Sequence, residues 1–445
     1  MMMNQDQLVM GKNCVYTMDE SFVNNNVIIV GGTGSGKTHY VLEPMLLHTY
    51  NSSIVVNLNK RILFDKYAPL FLERGYQILD INLANPSVSN CSFNILEYVK
   101  NDADIRDLAN NIVETALGKA TSTKDPYWNT SAANLLAFLI KVAMANRKYP
   151  TFKDVLYLVN KLTIASQALR DKSEADIEAD IEDENIQFMK GLDSIAEKSK
   201  NTTEATGYLT YRNNHPSTAA CILSSLNSAM DAVFTSNTLE ALSPSRPILD
   251  IDAIGKEKTV LFITTPPLNK SAHFFSNLIC SHVFKELFEF AEYQCPNGEL
   301  PVPVRFLFDD FACGGIVPDF ERSISIVRQK KLSVTLLLQD FSQLDSMYGR
   351  EKAKTIVNNC DNIVYMGGMD EDSVKKISLL VNRPFEDIMY MPLTQVIVIR
   401  RGNKGAVITN RYDIDANPAY KKLTNAYELL LAKRSYRRKH IDIKF

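Results

Sequence analysis

The chain has 445 residues, of which 45% are hydrophobic and 22% charged, so its composition is that of a globular protein and excludes a disordered or fibrous one. A single core seldom exceeds about 250–300 residues, so we expect two domains or one domain with a large insertion. The net charge of −2 excludes a generally basic nucleic-acid coat but allows a motor with local positive charge.

The cysteines and the N-terminus indicate the cellular setting. The seven cysteines contain no Cys-x-x-Cys pair, which argues against a zinc site and a disulfide framework and favours a reducing cytosol. Residues 1–7 lack the pattern of a signal peptide, and the best apolar run, 135–145, is too short to span a bilayer and contains Lys141. We expect a cytoplasmic protein that meets the inner face of the cell membrane only through partners.

The first strong motif along the chain is a complete P-loop, Gly-x-x-x-x-Gly-Lys-Thr. Glycines let backbone N–H groups turn toward a polyphosphate, the lysine reaches the β- and γ-phosphates, and the hydroxyl binds a metal ion. ATP and Mg²⁺ are therefore the predicted cofactors, with Lys37 on the phosphates and Thr38 on the metal. The predicted nucleotide-binding residues are Gly31, Gly32, Thr33, Gly34, Ser35, Gly36, Lys37 and Thr38.

The segments on both sides support this motif. Residues 26–30 form a β-branched apolar run typical of a buried strand, and residues 39–47 have apolar residues at helical spacing. Pro44 lies within roughly two turns of the helix start and leaves the phosphate-binding N-terminus free. The alternative, a glycine-rich turn with an incidental lysine, does not explain a strand and a helix at these positions.

Further strands and helices predict one α/β domain that is split by a helical insertion. Strand-like runs at 53–58 and 76–82 enclose a helical pattern at 64–74, which gives a βαβαβ order and a parallel sheet. Helical patterns then dominate from about 104 to 240 and include an acidic run, 174–184, which is either a solvated face or a partner-binding patch. Strand signals return at 259–264, 304–308, 334–338, 362–366 and 395–399.

Polar residues at the ends of the later strands complete a candidate ATPase site. Asp309 and Asp310 follow the apolar run 304–308, where Asp309 would hold Mg²⁺ and Asp310 would polarise the attacking water. A helix cap or a turn is the alternative for this pair. Gln339 closes the next strand and would sense the γ-phosphate, unless it is a strand-end residue without a role.

Arg328 is a candidate arginine finger. It would reach into the site of a neighbouring subunit and stabilise charge there during phosphoryl transfer. Because lysines follow it at 330 and 331, a surface arginine without a catalytic role is the alternative from spacing alone.

In combination these motifs resemble the TraG-type coupling proteins of type IV secretion and conjugation. The resemblance runs from about residue 25 to about 410. Beside the P-loop, it is carried by the segments 125–128 (Asp-Pro-Tyr-Trp), 306–311 (Phe-Leu-Phe-Asp-Asp-Phe), 316–321, 338–344, 348–349 and 359–361.

The resemblance implies a RecA-like P-loop NTPase domain with a mostly parallel sheet, split by an inserted all-α domain. With the strand and helix patterns, it predicts two parts of the nucleotide-binding domain, 1–104 and 245–415, and an insertion at 105–244. The basic residues near the end of the sequence predict a basic C-terminal tail at 416–445. The resemblance also implies an ATPase that forms a homo-oligomeric, hexameric ring and moves DNA, single- or double-stranded, or a relaxase–DNA complex, to other secretion-system proteins. Gln339 and Arg328 then become the sensor and the finger in trans.

Three departures from the family pattern leave other functions open. Asp310 stands where the family usually has Glu, residues 57–61 read Asn-Leu-Asn-Lys-Arg where most members have Asp-Pro-Lys-Gly-Glu, and the usual N-terminal membrane helices are absent. A nucleotide-binding substrate receptor without turnover is one alternative, and a DNA pump of the FtsK or HerA kind is another. The basic stretch 433–440 would contact DNA phosphates or an anionic membrane, or is a solvated helix end.

Overall fold

The computed structural model describes residues 5–18, 23–117, 127–170, 182–243, 246–309, 311, 317 and 320–441, with side chains as far as residue 432. The chain forms two compact units: Asn85–Leu249 is one, and the segments before and after it form the other. The predicted domain boundaries stay a prediction. Asp310, residues 125–126, the acidic run as far as residue 181 and the side chains of 433–440 lie outside the described residues.

The unit that contains the P-loop is built on strands, eleven of them within the described ranges. These strands are β1 Gln7–Gly11, β2 Cys14–Thr17, β3 Val27–Val30, β4 Ser53–Leu58, β5 Gln77–Asn82, β6 Thr259–Thr264, β7 Val304–Phe308, β8 Leu332–Leu338, β9 Asn362–Tyr365, β10 Gln395–Arg400 and β11 Val407–Asn410. Strands β1 and β2 pair as a separate antiparallel hairpin.

The other nine strands form one sheet in the order β11-β10-β9-β3-β8-β7-β4-β6-β5. The seven strands from β9 to β5 are parallel, while β10 and β11 add antiparallel pairs at one edge. Every residue of β3, β4, β6, β7 and β8 is buried, as expected for parallel strands covered on both faces. The carboxyl ends of the parallel strands come from distant parts of the sequence and lie together, and the P-loop begins there.

Helices pack around this sheet. They are α1 Glu43–Leu47, α2 Ile62–Glu73 and, after the second unit, α10 Ile251–Lys256, α11 Lys270–Gln294, α12 Phe320–Ile326, α13 Ser342–Tyr348, α14 Arg350–Asn358, α15 Glu371–Val381, α16 Phe385–Met389 and α17 Pro418–Ile441. A π-helical turn, Thr38–Leu42, joins the P-loop to α1, and Pro44 lies in the first turn of α1. Proline has no N–H to donate to the preceding turn, and the π-helical turn directly before it already departs from the regular α-helical bonding that proline would break.

The second unit is helical. It contains α3 Asp102–Leu117, α4 Tyr127–Asn146, α5 Phe152–Ala168, α6 Glu184–Lys198, α7 Thr203–Asn213, α8 Pro216–Val233 and α9 Ser236–Ala241. Helix α4 is buried along most of its length, which explains the apolar run at 135–145. In the described part of the chain, no helix combines the length and the apolar character that crossing a membrane requires.

A buried carboxylate ties three helices of this unit together. The Glu204 side chain, 0% exposed, accepts bonds from Arg106 of α3 (2.7 Å) and Lys141 of α4 (3.1 Å). Burial by itself raises the pKa of Glu204, but bonds from its own backbone amide, from Lys141 and from Arg106 outweigh burial and lower the pKa below its ordinary value. The charged form of Glu204 is therefore favoured in the folded state.

We expect Glu204→Gln to destabilise the helical unit by about 2 kcal/mol at neutral pH, because the amide keeps one acceptor oxygen and loses the negative charge that both bonds rely on. A carboxyl with a lowered pKa stabilises the fold above its unfolded pKa of about 4.3, and this contribution disappears as the pH falls. The gap between wild type and Glu204→Gln should therefore narrow from pH 6 to pH 3. Hydrogen exchange of the α3 and α4 amides measures this gap.

Asp102 supplies the control for this experiment. Its carboxylate also bonds Lys141, at 2.9 Å, but its side chain is 49% exposed. Exposed ion pairs contribute little, so Asp102→Asn should change exchange by less than about 0.5 kcal/mol at either pH. Equal effects of the two substitutions would contradict a special role for the buried carboxylate.

Candidate nucleotide-binding site

The P-loop is held between the segments that follow two neighbouring strands. The Gly31 N–H donates to the Leu338 carbonyl at the end of β8 (3.1 Å), and the Gly32 N–H donates to Gly367 after β9 (2.9 Å). Both bonds continue the parallel pairing of β3 with β8 and β9, in which Val30 lies opposite Leu338 and Tyr365. The loop therefore begins at a fixed position at the carboxyl ends of the parallel strands.

Glycines at two positions of the loop have backbone angles that disfavour other residues. Gly34 has φ +78° and Gly36 has φ +81°, both in the left-handed region. A Cβ on Gly36 would lie 2.5 Å from the Tyr40 ring, whereas a Cβ on Gly34 would meet nothing within 4 Å among the described residues. Gly36 is thus required by packing as well as by conformation.

This difference predicts unequal effects of alanine. Gly34→Ala should weaken ATP binding by roughly fivefold to thirtyfold, because a left-handed alanine costs roughly 1–2 kcal/mol. Gly36→Ala must in addition displace Tyr40 and the first turn after the loop, so we expect a loss on the order of a hundredfold or more. Titration with a fluorescent ATP analogue measures both, and similar losses would show that the Tyr40 contact is unimportant.

Lys37 lies half-buried against its own loop. Its ammonium donates to the Gly31 carbonyl at 2.5 Å and is 3.3 Å from the Gly32 carbonyl. This position places a positive charge within the turn of the loop, while the loop tip at Thr33 and Gly34 is exposed. An ammonium so placed can offset the charge of a polyphosphate that binds along the loop.

Thr38 and Asp309 meet although 271 residues separate them. The Thr38 hydroxyl donates to Asp309 Oδ1 at 2.8 Å, and the Asp309 N–H donates to the Asn57 carbonyl at the end of β4 (3.1 Å). A hydroxyl and a carboxylate are the hard oxygen ligands that Mg²⁺ prefers. The oxygens of Thr38 and Asp309 therefore fit Mg²⁺. Asp310, which follows Asp309 in the sequence, lies outside the described residues.

The strand that carries Asp309 is not the immediate neighbour of the P-loop strand. Strand β8 lies between β3 and β7, so the carboxylate comes from the second strand along the sheet and not from a strand adjacent to β3. The strand order cannot be read from apolar runs, because each of these strands has the same buried pattern. Asp309 reaches Thr38 across the end of β8.

The intervening strand brings Gln339 to the loop. Its side-chain oxygen accepts a bond from the Thr33 hydroxyl (3.3 Å), and its backbone N–H donates to the Gln343 side chain (3.0 Å). Gln339 is therefore next to the loop.

Arg328 lies at the other end of the same strand. It is exposed in the single turn Val327–Lys330 that precedes β8, whereas the P-loop follows the opposite end of the parallel strands. The seven residues of β8 span roughly 23 Å at about 3.3 Å per residue. The structure therefore does not bring Arg328 to the P-loop of its own chain.

The segment after β4, which departs from the family pattern, makes packing contacts. The Asn57 side chain accepts a bond from the Thr265 hydroxyl (3.0 Å), and Arg61 makes two bonds to Asp80 (2.7 and 3.0 Å). Burial raises the pKa of Asp80, although the bonds from Arg61 act in the opposite direction. In this chain the segment therefore stabilises the sheet beside the site.

Two site neighbours were not predicted from the sequence. Gly367, which accepts the bond from Gly32, had a weak signal in the glycine pair after β9. Arg411, beside Gly36 and Tyr40, had no signal because it lies 375 positions from Gly36 in sequence and belongs to no motif. Topology alone places it at the loop.

The chain matches a known protein family over most of its length. The model of the type IV secretory system conjugative DNA transfer family matches residues 1–382. The chain belongs to this family. The predicted resemblance to TraG-type coupling proteins is thereby confirmed. Among curated proteins, none matches the chain.

Solved structures of low sequence identity share the fold. The bacterial conjugative coupling protein TrwBdeltaN70, in its unbound monoclinic form, is 15% identical with a TM-score of 0.59, over 87% of this chain and 84% of its own. TrwB with the ATP analogue ADPNP is 14% identical with a TM-score of 0.55, over 87% of this chain and 84% of its own. VirB4 of Thermoanaerobacter pseudethanolicus is 12% identical with a TM-score of 0.55, over 93% of this chain and 97% of its own. The predicted fold, a P-loop NTPase with a mostly parallel sheet and an inserted helical domain, is confirmed.

Proposed function

We propose that this protein is an ATP-dependent coupling-protein motor of a conjugation or type IV secretion system that moves DNA or a nucleoprotein substrate to the channel. The observation that carries the proposal is the bond between Thr38 and Asp309 at a complete P-loop, with Gln339 at the same loop. Family membership supports the secretion setting. TrwB, which shares the fold, has been solved with ADP and Mg²⁺ and with nucleotide analogues.

The proposed reaction is phosphoryl transfer from ATP to water, in which water attacks the γ-phosphorus and ADP leaves. Lys37 and the loop amides hold the phosphates and offset their charge. Asp310 orients the water, and Gln339 senses the γ-phosphate. Mg²⁺, when bound, would neutralise charge on the β- and γ-phosphates, and Thr38 and Asp309 are the residues that would hold it.

A ring accounts for the position of Arg328. Because Arg328 is exposed at the end of the parallel strands opposite to its own P-loop, it can contribute to an ATP site only if that site belongs to another copy of the chain. We propose a homo-oligomeric, hexameric ring in which each Arg328 completes the neighbouring site, and in which DNA or a relaxase–DNA complex is passed to other secretion-system proteins. Hydrolysis would drive loop movements within the ring.

The second candidate is a substrate receptor that binds nucleotide without turnover. It is favoured by Asp310, since its side chain is one methylene, about 1.5 Å, shorter than the usual glutamate, and such a misplacement can cost roughly a hundredfold in rate.

The ATPase rate separates the two functions. It should be measured with and without single- and double-stranded DNA on wild type, Lys37→Ala and Asp310→Glu. A motor should exceed the Lys37→Ala background and respond to DNA. Wild-type activity equal to that background under every condition would overturn the motor, and a large gain in Asp310→Glu would show a weakened site. If a protein substrate stimulates the ATPase rate and DNA does not, the cargo is that protein and not DNA.

A further inference from the structure

Arg411 is held rigidly beside the P-loop. It follows β11 directly, and its backbone N–H donates to the Thr394 carbonyl at the start of β10 (2.9 Å). The hairpin of β10 and β11 is paired along its length, from Gln395 with Asn410 to Val398 with Val407. The position of Arg411 is therefore set by the sheet.

The guanidinium lies against the flank of the loop. Its Nη1 is 3.5 Å from the point that a Cβ on Gly36 would occupy, and its central carbon is 5.0 Å from the centre of the Tyr40 ring. Tyr40 in turn packs on Gly36, so the three residues form one contact group at the start of the helical turn after the loop.

Two donors of this guanidinium are buried without an acceptor. Among the described residues, Nε and Nη2 of Arg411 have no hydrogen-bond partner. The carboxylates nearest in sequence are engaged elsewhere, since Asp413 accepts a bond from the Ala416 N–H (3.1 Å) and Asp415 contacts His39 (3.1 Å). Burial lowers the pKa of Arg411, although a charge interaction and a hydrogen bond with Tyr40 act in the opposite direction.

Such an arrangement is costly unless a ligand supplies the missing acceptors. An unmade bond to a buried donor costs about 1–3 kcal/mol, and more when the donor is charged. The neighbouring loop is the part of the molecule built for a polyanion. Gly36 belongs to the part of the loop whose amides cradle the α- and β-phosphates, whereas Lys37 reaches the β- and γ-phosphates.

We propose that Arg411 binds the α- or β-phosphate of the nucleotide in cis, with Tyr40 as the residue that positions its guanidinium. The inference rests on the proposed function in that it takes the P-loop to bind a nucleoside triphosphate. It extends the site to a residue at the opposite end of the chain. Arg411 thus contributes equally to holding ATP and ADP, and it does not distinguish the two by the γ-phosphate.

Contacts of the next residues support this placement. His39, which follows the P-loop threonine, is 3.1 Å from Asp415 through Nε2 and 3.3 Å from the Tyr420 hydroxyl through Nδ1. The segment from Arg411 to Tyr420 therefore contacts both His39 and Tyr40 in the first turn after the loop. It holds this position before any ligand binds at the loop.

The test is the affinity of Arg411→Gln for fluorescent ATP and ADP, with Lys404→Gln at the tip of the same hairpin as the control. We expect roughly tenfold to hundredfold weaker binding of both nucleotides in Arg411→Gln, and no change in Lys404→Gln. Unchanged affinity for both nucleotides would overturn the proposal. A loss for ATP alone would also overturn it, because it would place Arg411 on the γ-phosphate.

Two further measurements separate a phosphate-binding Arg411 from a purely structural one and from a loop that binds no nucleotide. Without nucleotide, Arg411→Gln should melt no lower than wild type, since two unpaired charged donors are removed, whereas a structural role predicts a lower melting temperature. Lys37→Ala reports on the proposed function itself. If wild type binds no better than Lys37→Ala, nucleotide binding fails. If Lys37→Ala binds nucleotide more weakly than wild type while Arg411→Gln binds it equally well, the nucleotide site is supported and the role of Arg411 is overturned.

Discussion

Replacing Thr38 with valine should abolish magnesium-dependent ATP hydrolysis, whereas Thr38→Ser should keep the rate within a few-fold of wild type. Valine has nearly the shape of threonine but lacks the hydroxyl that donates to Asp309 at 2.8 Å. Without that oxygen the site would lose one of the two residues that we propose to hold Mg²⁺. A loss of several kcal/mol in transition-state stabilisation corresponds to a rate reduction on the order of a hundredfold to a thousandfold.

The same donor pair predicts the behaviour of Asp309→Asn. The amide keeps the size of the side chain but not its charge, so the metal should bind weakly and the rate should fall as in Thr38→Val. Nucleotide binding in the presence of a metal chelator should be unaffected in both variants, because Lys37 and the loop amides are intact. Titrations with Mg²⁺ and with chelator, beside steady-state rates, measure these effects. Equal losses with and without metal would contradict the assignment.

Much of this site could be predicted because its chemistry is local in sequence. Gly34 and Gly36 permit the backbone turn of the P-loop. The end of each buried strand is marked in the sequence by a change from apolar to polar residues. The runs at 53–58, 259–264 and 304–308 correspond to β4, β6 and β7 residue for residue. Local signals are sufficient there because full burial requires an unbroken apolar run.

The remainder depends on pairing between distant segments, which no local pattern encodes. The position of β8 between β3 and β7 follows from the three-dimensional order of similar strands. The short strands β1, β2 and β11 were not predicted. Strands β2 and β11 are partly exposed and lack the continuous apolar signal, and β1, although mostly buried, has only five residues. Arg411 escaped prediction for the same reason, because only the β10–β11 hairpin brings it to the loop.

The position of Arg328 leads to the second large prediction. Arg328 lies at the end of the parallel strands opposite to its own P-loop, and the proposed ring would place it at the site of a neighbouring copy. Arg328→Ala should therefore lower the ATPase rate by about a thousandfold or more, as expected for an arginine finger in trans, and leave nucleotide affinity nearly unchanged. Arg322, which is exposed on α12 a few residues earlier, is the matched control, and Arg322→Ala should hydrolyse ATP at the wild-type rate.

Mixing two inactive variants distinguishes action in trans from a local structural role. Arg328→Ala keeps an intact P-loop, and Lys37→Ala keeps an intact finger, so each supplies what the other lacks at a shared interface. In randomly mixed rings at equal amounts, about a quarter of the interfaces should contain both intact residues, and activity should return to that order. A mixture as inactive as its parts would contradict the finger, because damage within one protomer cannot be repaired by its neighbour.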